Sequence, residues 1–325
     1  MMNGRHNGWR ALHLFCRGSK IQEHLLLEKL LLNVMRMHEK GEVLGWFYSR
    51  YSGGGAHLRL RLFRPTEFAM KKLRAAAERM LRSMPVSSGE EEELTGAKVS
   101  PFILHETSVA LDYDFTPMVE FDYEPEFARY GGVAAMPISE RLFQRSSETS
   151  AIIISRSVDS RSKRMVPALC MMIVTASRFG VKKDELSSFF AAYADYWSVF
   201  LNARDVKLQY DQQAIEEAET LSNRLSMPAL VGEETPQDDV IAVWSHMVSD
   251  ASMKLEDLAL AGKLLVPYTG QPAIQEADRL EAFRSIAWSH IHMMNNRLGM
   301  TPSYEYYLAR VAQRLCEAFE VTIDN

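Results

Sequence analysis

The sequence predicts an α+β fold, with an antiparallel sheet in the N-terminal half and a mainly helical C-terminal half packed on it. Three observations lead there. Before about residue 124, short runs of alternating apolar residues are separated by stretches of helical period. One of these runs, His57–Phe63 (HLRLRLF), alternates strictly between leucine and a basic or aromatic residue. After Gly131-Gly132 the patterned segments all carry the helical period.

Taken in order, Trp9–Cys16 (WRALHLFC) reads as a first strand, ended by Arg17-Gly18-Ser19. Ile21–Glu39 follows as an amphipathic helix with Leu27, Leu30, Leu31, Val34 and Met37 on one stripe, stopped at Gly41. Val43–Tyr51 and His57–Phe63 form a hairpin across Ser52-Gly53-Gly54-Gly55. Pro65 and Thr66 open a second helix with Phe68, Leu73, Ala77, Met80 and Leu81 at its apolar positions, and Pro85 marks its end. Ser87–Pro101, with its run Glu90–Glu93, is a polar loop. Strand-like pieces follow at Phe102–His105 and Pro117–Tyr123. This order, β-α-β-β-α-β, is the ferredoxin-like one, in which the helices cover one sheet face. The leucines of His57–Phe63 then go under the helices, and His57, Arg59 and Arg61 need cover from elsewhere in the chain.

The second half can supply it, with helices expected over Ala134–Arg145, Ser147–Ser155, Met165–Phe179, Asp184–Ala203 and Tyr210–Arg224. Met227–Asp239 breaks the pattern before helices resume at Val240–Ala261, Ile274–Leu298 and Pro302–Phe319. Acidic groups in the first turn suit a helix start near Lys183–Leu186. The expected division is a sheet region over 1–132 and a helical region over 133–325, forming one compact domain.

Composition narrows the function classes. The 325 residues suffice for a substantial core, and a net charge of −5 argues against a general nucleic-acid binder. Cys16, Cys170 and Cys316 are widely spaced with no CxxC pairing, which suits a reducing cytoplasm and argues against both a disulfide framework and a cysteine-ligated zinc site. The longest apolar run, Met165–Ala176, falls short of the ~20 residues needed to span a bilayer and reads as a buried helix. A P-loop, GxGxxG, GxSxG and HExxH are all absent, so nucleotide and zinc-protease chemistry find no support.

Three stretches hold candidate chemistry. On His57–Phe63, successive residues of one face lie about 6.6–6.8 Å apart, so Arg59 and Arg61 could cradle a carboxylate or phosphate beside His57. The plain solvated face of an antiparallel sheet explains the same pattern. In Phe121–Gly132 (FDYEPEFARYGG), Glu126 and Arg129 are spaced i, i+3 and can face the same way, ahead of a sharp glycine turn. A surface ion pair with a helix cap explains that pattern equally. In Trp288–Met300 (WSHIHMMNNRLGM), Leu280, Phe283, Ala287, Ile291, Met294 and Leu298 make the buried stripe of the surrounding helix. His292 has Trp288, Asn295 and Asn296 as helical neighbours and could move protons, or could simply be bonded within helix packing. His290 points across the helix, so the two histidines do not form a metal pair.

Together these stretches resemble the C-terminal elimination domain of class I lanthipeptide dehydratases, in its stand-alone thiopeptide-type form. The matching pieces are WRALHLF, WFYSRYSGGGAHLRLRLF, YEPEFARYGG with Glu140, Phe143 and Ser146 after it, and HMMNNRLGM, in the family's order from about Trp9 to Phe319. The resemblance implies β-elimination of glutamate from glutamylated serine or threonine of a precursor peptide, giving dehydroalanine or dehydrobutyrine. The family's elimination residues fall on Arg59, Arg61, Glu126, Arg129 and His292. On that reading Arg59 and Arg129 hold the glutamyl adduct and polarise its ester, Arg61 and His57 assist, Glu126 orients Arg129, and His292 is the base or proton shuttle. The implied reaction uses no cofactor and no metal.

The large glutamyl-transferring domain of full dehydratases is missing, so the resemblance implies a separate glutamyl-tRNA-dependent protein that supplies the glutamylated leader-core peptide. The implied setting is the cytoplasm, without membrane or direct nucleic-acid contact; a homodimer is compatible with it. Two alternatives stay open. Relatives of the same fold join two dehydroalanines by [4+2] cycloaddition as pyridine synthases, but tend to lose the arginine and histidine set kept here. The other is a non-catalytic peptide-binding scaffold subunit.

Overall fold

Strand β3 (His57–Phe63) lies inside a four-stranded sheet, between β2 (Gly45–Tyr51) and β1 (Trp9–Phe15), and β4 (Met118–Phe121) pairs with the other edge of β1. The order is β2-β3-β1-β4 and every neighbouring pair is antiparallel. The computed structural model describes residues 8–15, 30–51, 57–83, 118–157, 160–201 and 204–321. They fall into two units, Met1–Pro125 and Glu126–Asn325, so the Glu126–Gly132 turn belongs with the helices. Cys16, the expected first half of the opening helix, the turn at 52–56, the polar loop and the strand expected at Phe102–His105 lie outside the described residues.

In the first unit the strict alternation of β3 is realised as expected from a period of two. Leu58, Leu60 and Leu62 are buried on the face shared with Leu12, Leu14, Trp46 and Tyr48. Helix α1 (Leu31–Glu39) brings Leu31, Val34 and Met37 into this core, and α2 (Glu67–Ser83) brings Ala69, Met70, Leu73 and Ala77. Thr66 caps α2 by accepting the Ala69 N–H at 3.1 Å. Phe68, expected in the apolar stripe, is exposed, because the stripe actually runs through 69, 70, 73 and 77 and leaves position 68 to its side.

In the second unit the expected pair of helices over 134–155 is one helix, α3 (Met136–Ser155), since Ser146 and Ser147 are buried within it rather than breaking it. Next come α4 (Met165–Arg178), α5 (Leu186–Ser198), α6 (Arg204–Ser222) and α7 (Met227–Val231). Then follow α8 (Asp239–Leu260), α9 (Glu276–Leu298) and α10 (Pro302–Val321). The run read as a buried helix is α4, whose residues Ala168–Ala176 are all buried, with α8, α9 and α10 packed around it. Each fully buried Leu, Ile or Met there contributes about 1.5–3 kcal/mol. Lys183–Glu185 is a separate 3₁₀ turn ahead of α5, and the helix expected to reach Ala203 ends at Ser198. The break at Met227–Asp239 contains α7, whose cap is Ser226 Oγ accepting the Ala229 N–H at 3.3 Å. Cys170 and Cys316 are free, buried thiols. Among the described residues no helix is long and apolar enough to cross a membrane, and no His/Cys/Asp/Glu group could hold a metal ion.

Candidate active site

The register of β3 determines what faces its cations. His13 of β1 and Ser49 of β2 flank Arg59, while Ala11 and Phe47 flank Arg61. Arg59 is only 5% exposed; its Nε donates to His57 Nε2 at 2.9 Å and its guanidinium lies 3.4 Å from the centre of the Tyr51 ring. Because His57 Nε2 accepts in this contact, the Nε2 lone pair faces Arg59 and the ring N–H is on Nδ1. His57 is buried among Tyr51, Phe15 and the stacked ring of His13. The His13 imidazole is pushed down to about 2 by burial, and further by Arg59, His57 and Arg61, so it stays neutral. His13 was not among the candidate residues read from the sequence.

Arg61 is the more open of the two strand arginines. Its Nη1 donates to Ser49 Oγ at 2.9 Å, and its guanidinium lies 5.3 and 5.6 Å from the Phe47 and Tyr123 rings. Its Nε is buried with no acceptor among the described residues. A buried donor left unmade costs about 1–3 kcal/mol. Arg10, by contrast, is already saturated by Glu67 at 2.7 Å and Glu120 at 2.6 Å.

In the second unit, residues 126–132 form a single closed turn, with Arg129 N–H bonded to Glu126 O at 2.9 Å and Gly132 N–H to Phe127 O at 2.8 Å. Gly131 and Gly132 take φ values of +83° and +94°. A Cβ on Gly131 would also sit 2.6 Å from Leu264 Cδ1, so the glycine is required twice over. This turn aims Arg129 at α9. Its Nη1 meets Glu126 Oε2 at 3.1 Å and its Nε donates to Ser289 Oγ at 3.0 Å. Burial opposes the Arg129 charge, but Tyr130, Glu126 and Tyr268 more than offset it and hold the guanidinium above its ordinary value.

One turn along α9 from Ser289 is His292, 21% exposed and 2.7 Å through Nδ1 from Glu305 Oε1. Glu305, near the start of α10, is 1% exposed. Its other oxygen accepts from the Tyr193 hydroxyl and from Asn295 Nδ2 at 3.3 Å. Tyr193 keeps its proton because burial, then Glu305, raise it well above the ordinary phenol value. With Oε2 occupied by two donors, Oε1 is the acceptor for an Nδ1–H of His292, which leaves Nε2 to take a proton. The Trp197 ring, 5.0 Å away, supports the imidazole. His290 faces a different way, among Tyr130, Phe143 and Phe179, and is pushed down to about 3 by burial, then Arg297 and Arg129. It is a neutral packing residue.

Each unit therefore gathers part of the expected set: His57, Arg59 and Arg61 on β3, and Glu126, Arg129 and His292 around α9. An oriented imidazole on the same helix as an arginine anchor can remove a proton close to a bound anion. Sequence reasoning missed Glu305, Tyr193, Ser289 and Tyr268. Glu305 offered one signal, an acid in the first turn of the last helix between Tyr304 and Tyr306, but that reads equally well as helix stabilisation.

Comparison with known proteins bears on the family and the fold. The family model described as lantibiotic biosynthesis dehydratase C-term matches residues 9–316. Among curated proteins nothing matches. Among solved structures, the crystal structure of TsrL is 17% identical with a TM-score of 0.63, covering 98% of this chain and 95% of that one. The pyridine synthase TbtD from thiomuracin biosynthesis is 13% identical with a TM-score of 0.64, covering 96% of this chain and 99% of that one. The tRNA-dependent lantibiotic dehydratase MibB from Microbispora sp. 107891 is 15% identical with a TM-score of 0.57; the match covers 99% of this chain but 29% of MibB. At these identities the solved structures speak for the fold, and the family match speaks for descent: the chain belongs to the lantibiotic biosynthesis dehydratase C-terminal family.

Proposed function

We propose that the chain is a carbon–oxygen lyase that eliminates glutamate from glutamylated serine or threonine of a precursor peptide, leaving dehydroalanine or dehydrobutyrine. The observation that carries this is the His292–Glu305 pair on the helix that also anchors Arg129. His292 Nε2 takes the Cα proton; the electron pair forms the Cα=Cβ bond as the Cβ–O bond breaks, and glutamate leaves as its carboxylate. A carboxylate departs with little acid assistance, so the demand falls on the base and on cations that stabilise the enolate and the leaving group. Arg129, oriented by Glu126, and Arg59, held by His57 and Tyr51, are assigned to the adduct and its ester, with Arg61 as an additional carboxylate ligand. Glu305 fixes the tautomer of His292.

The ferredoxin-like reading of the sheet is also ours, supported by the order β2-β3-β1-β4 with antiparallel neighbours throughout. We assign glutamyl transfer to a separate glutamyl-tRNA-dependent protein and place the reaction in the cytoplasm. The net charge of −5 suits a chain that does not itself bind tRNA. A second reading, pyridine synthase, is favoured by the near end-to-end match to TbtD. Retention of Arg59, Arg61, Arg129 and His292 favours elimination over it.

The test uses a chemically glutamylated serine peptide. Wild type should release glutamate, followed by mass spectrometry, while Arg129→Ala and His292→Ala should bind the peptide and leave the adduct in place. Normal turnover in either variant removes that residue from the mechanism.

A further inference from the structure

We propose that Tyr268 is a substrate-contacting residue of the Arg129 site, donating its phenolic proton to a carboxylate oxygen of the bound adduct. This rests on the elimination reading for the identity of the adduct, and on the geometry of the second unit for the rest.

Tyr268 sits at φ +64°, one of two non-glycine residues with positive φ among the described residues. An L side chain in that region is strained relative to an ordinary conformation. Gly270, two residues on, shows that glycine is used in this loop where the backbone alone decides.

Hydrogen bonds on both sides hold Tyr268 in that strained state. Its own N–H reaches Ala128 O at 2.8 Å, and the Leu265 N–H reaches Gly131 O at 3.0 Å, so the loop is fastened to the turn that carries Arg129. Within the loop, Val266 N–H bonds Gln271 O at 2.7 Å and Gly270 N–H bonds Val266 O at 3.0 Å. Strain that is fixed by its surroundings in this way collects where a side chain must be presented at one spot.

The side chain is presented to the Arg129 cluster. Tyr268 is 53% exposed, and its hydroxyl is hydrogen-bonded with Ser289, whose Oγ accepts the Arg129 Nε–H at 3.0 Å and whose own proton can go to the phenol oxygen. Burial, then Glu126 and Tyr196, raise the phenol despite the opposing Arg129 charge, so it keeps its proton at neutral pH. A neutral donor half open to solvent beside a fixed guanidinium forms two adjoining donors for one carboxylate.

The experiment compares binding of an unmodified peptide with one carrying glutamate through a non-eliminable amide, a diaminopropionate in place of serine. Wild type should prefer the amide-linked adduct. Tyr268→Phe keeps the ring and should lose about tenfold or more of that preference, with unmodified-peptide affinity unchanged, as expected for a hydrogen bond to a charged group. Tyr268→Gly relieves the strained backbone and should show the same loss while melting no lower than wild type. Undiminished adduct preference in Tyr268→Phe, or a Tyr268→Gly protein that melts well below wild type, overturns the proposal. Selective loss of adduct affinity supports Tyr268 even if the wild-type chain releases no glutamate, a result that would sink the elimination reading alone.

Discussion

Replacing Glu305 with glutamine exchanges one oxygen for an NH₂ group and leaves the shape of the site intact. The amide must choose between two orientations. One carboxylate oxygen faces two donors, Tyr193 and Asn295, and the other faces His292 Nδ1 at 2.7 Å. Turning the NH₂ toward the two donors would leave both unmatched at about 1–3 kcal/mol each. The amide oxygen therefore stays with Tyr193 and Asn295, and its NH₂ points at Nδ1. That nitrogen must then accept, which moves the imidazole proton to Nε2, the atom assigned to take the Cα proton. Glutamate release should fall by about 10²–10⁴-fold, the ordinary worth of a general base. Stability should change by only about 1 kcal/mol, or roughly 1.5 °C in Tm for a chain of this size. Single-turnover release from a glutamylated serine peptide gives the rate, and ¹⁵N shifts of the His292 ring report the tautomer. Release within a few-fold of wild type, or an Nδ1–H tautomer surviving in Glu305→Gln, would refute this reasoning.

Three further outcomes are expected. Gly131→Ala forces a side chain into φ +83° and against Leu264, and should destabilise the second unit by about 1–2 kcal/mol from the backbone conformation plus the clash; an unchanged denaturation midpoint would contradict it. Arg61→Met removes a cation whose Nε has no acceptor among the described residues, and should leave Tm equal or higher while weakening adduct binding about tenfold. Lower Tm with unchanged binding would reverse that assignment. The third concerns pH. Folding holds His13 at about 2 and His290 at about 3, against 6.5 in the unfolded chain. Below pH 6.5 the unfolded chain binds the proton and the folded one does not, so each histidine lowers stability by about 1.4 kcal/mol per pH unit on acidification. His290→Phe should flatten that dependence between pH 6.5 and 4.5 in urea melts; an unaltered slope would show that His290 protonates in the fold.

The parts of the site visible in the sequence are those set by local geometry. A period of two placed His57, Arg59 and Arg61 on one face of β3, and an i, i+3 spacing paired Glu126 with Arg129. Gly131-Gly132 announced a sharp turn, although its tightness comes from Leu264, more than a hundred residues away. Glu305 and Tyr193 were not legible, because Glu305 reaches His292 and Tyr193 reaches Glu305 from other helices, and no sequence period records how α5 and α10 lie against α9. The same holds for Tyr268, whose function-bearing feature is a backbone angle. Local period also misled where burial decided the outcome, as with Ser146 and Ser147 inside α3 and Phe68 beside the α2 stripe.

Offering the chain two substrates in one reaction separates the leading readings most directly. One peptide carries a glutamylated serine, the other two dehydroalanines in a thiazole-containing leader-core peptide. Loss of glutamate from the first, with dehydroalanine appearing in its place and the second peptide recovered intact, is the expected result. Leader release and ring formation from the second, with the glutamylated peptide untouched, would contradict elimination and establish cycloaddition instead.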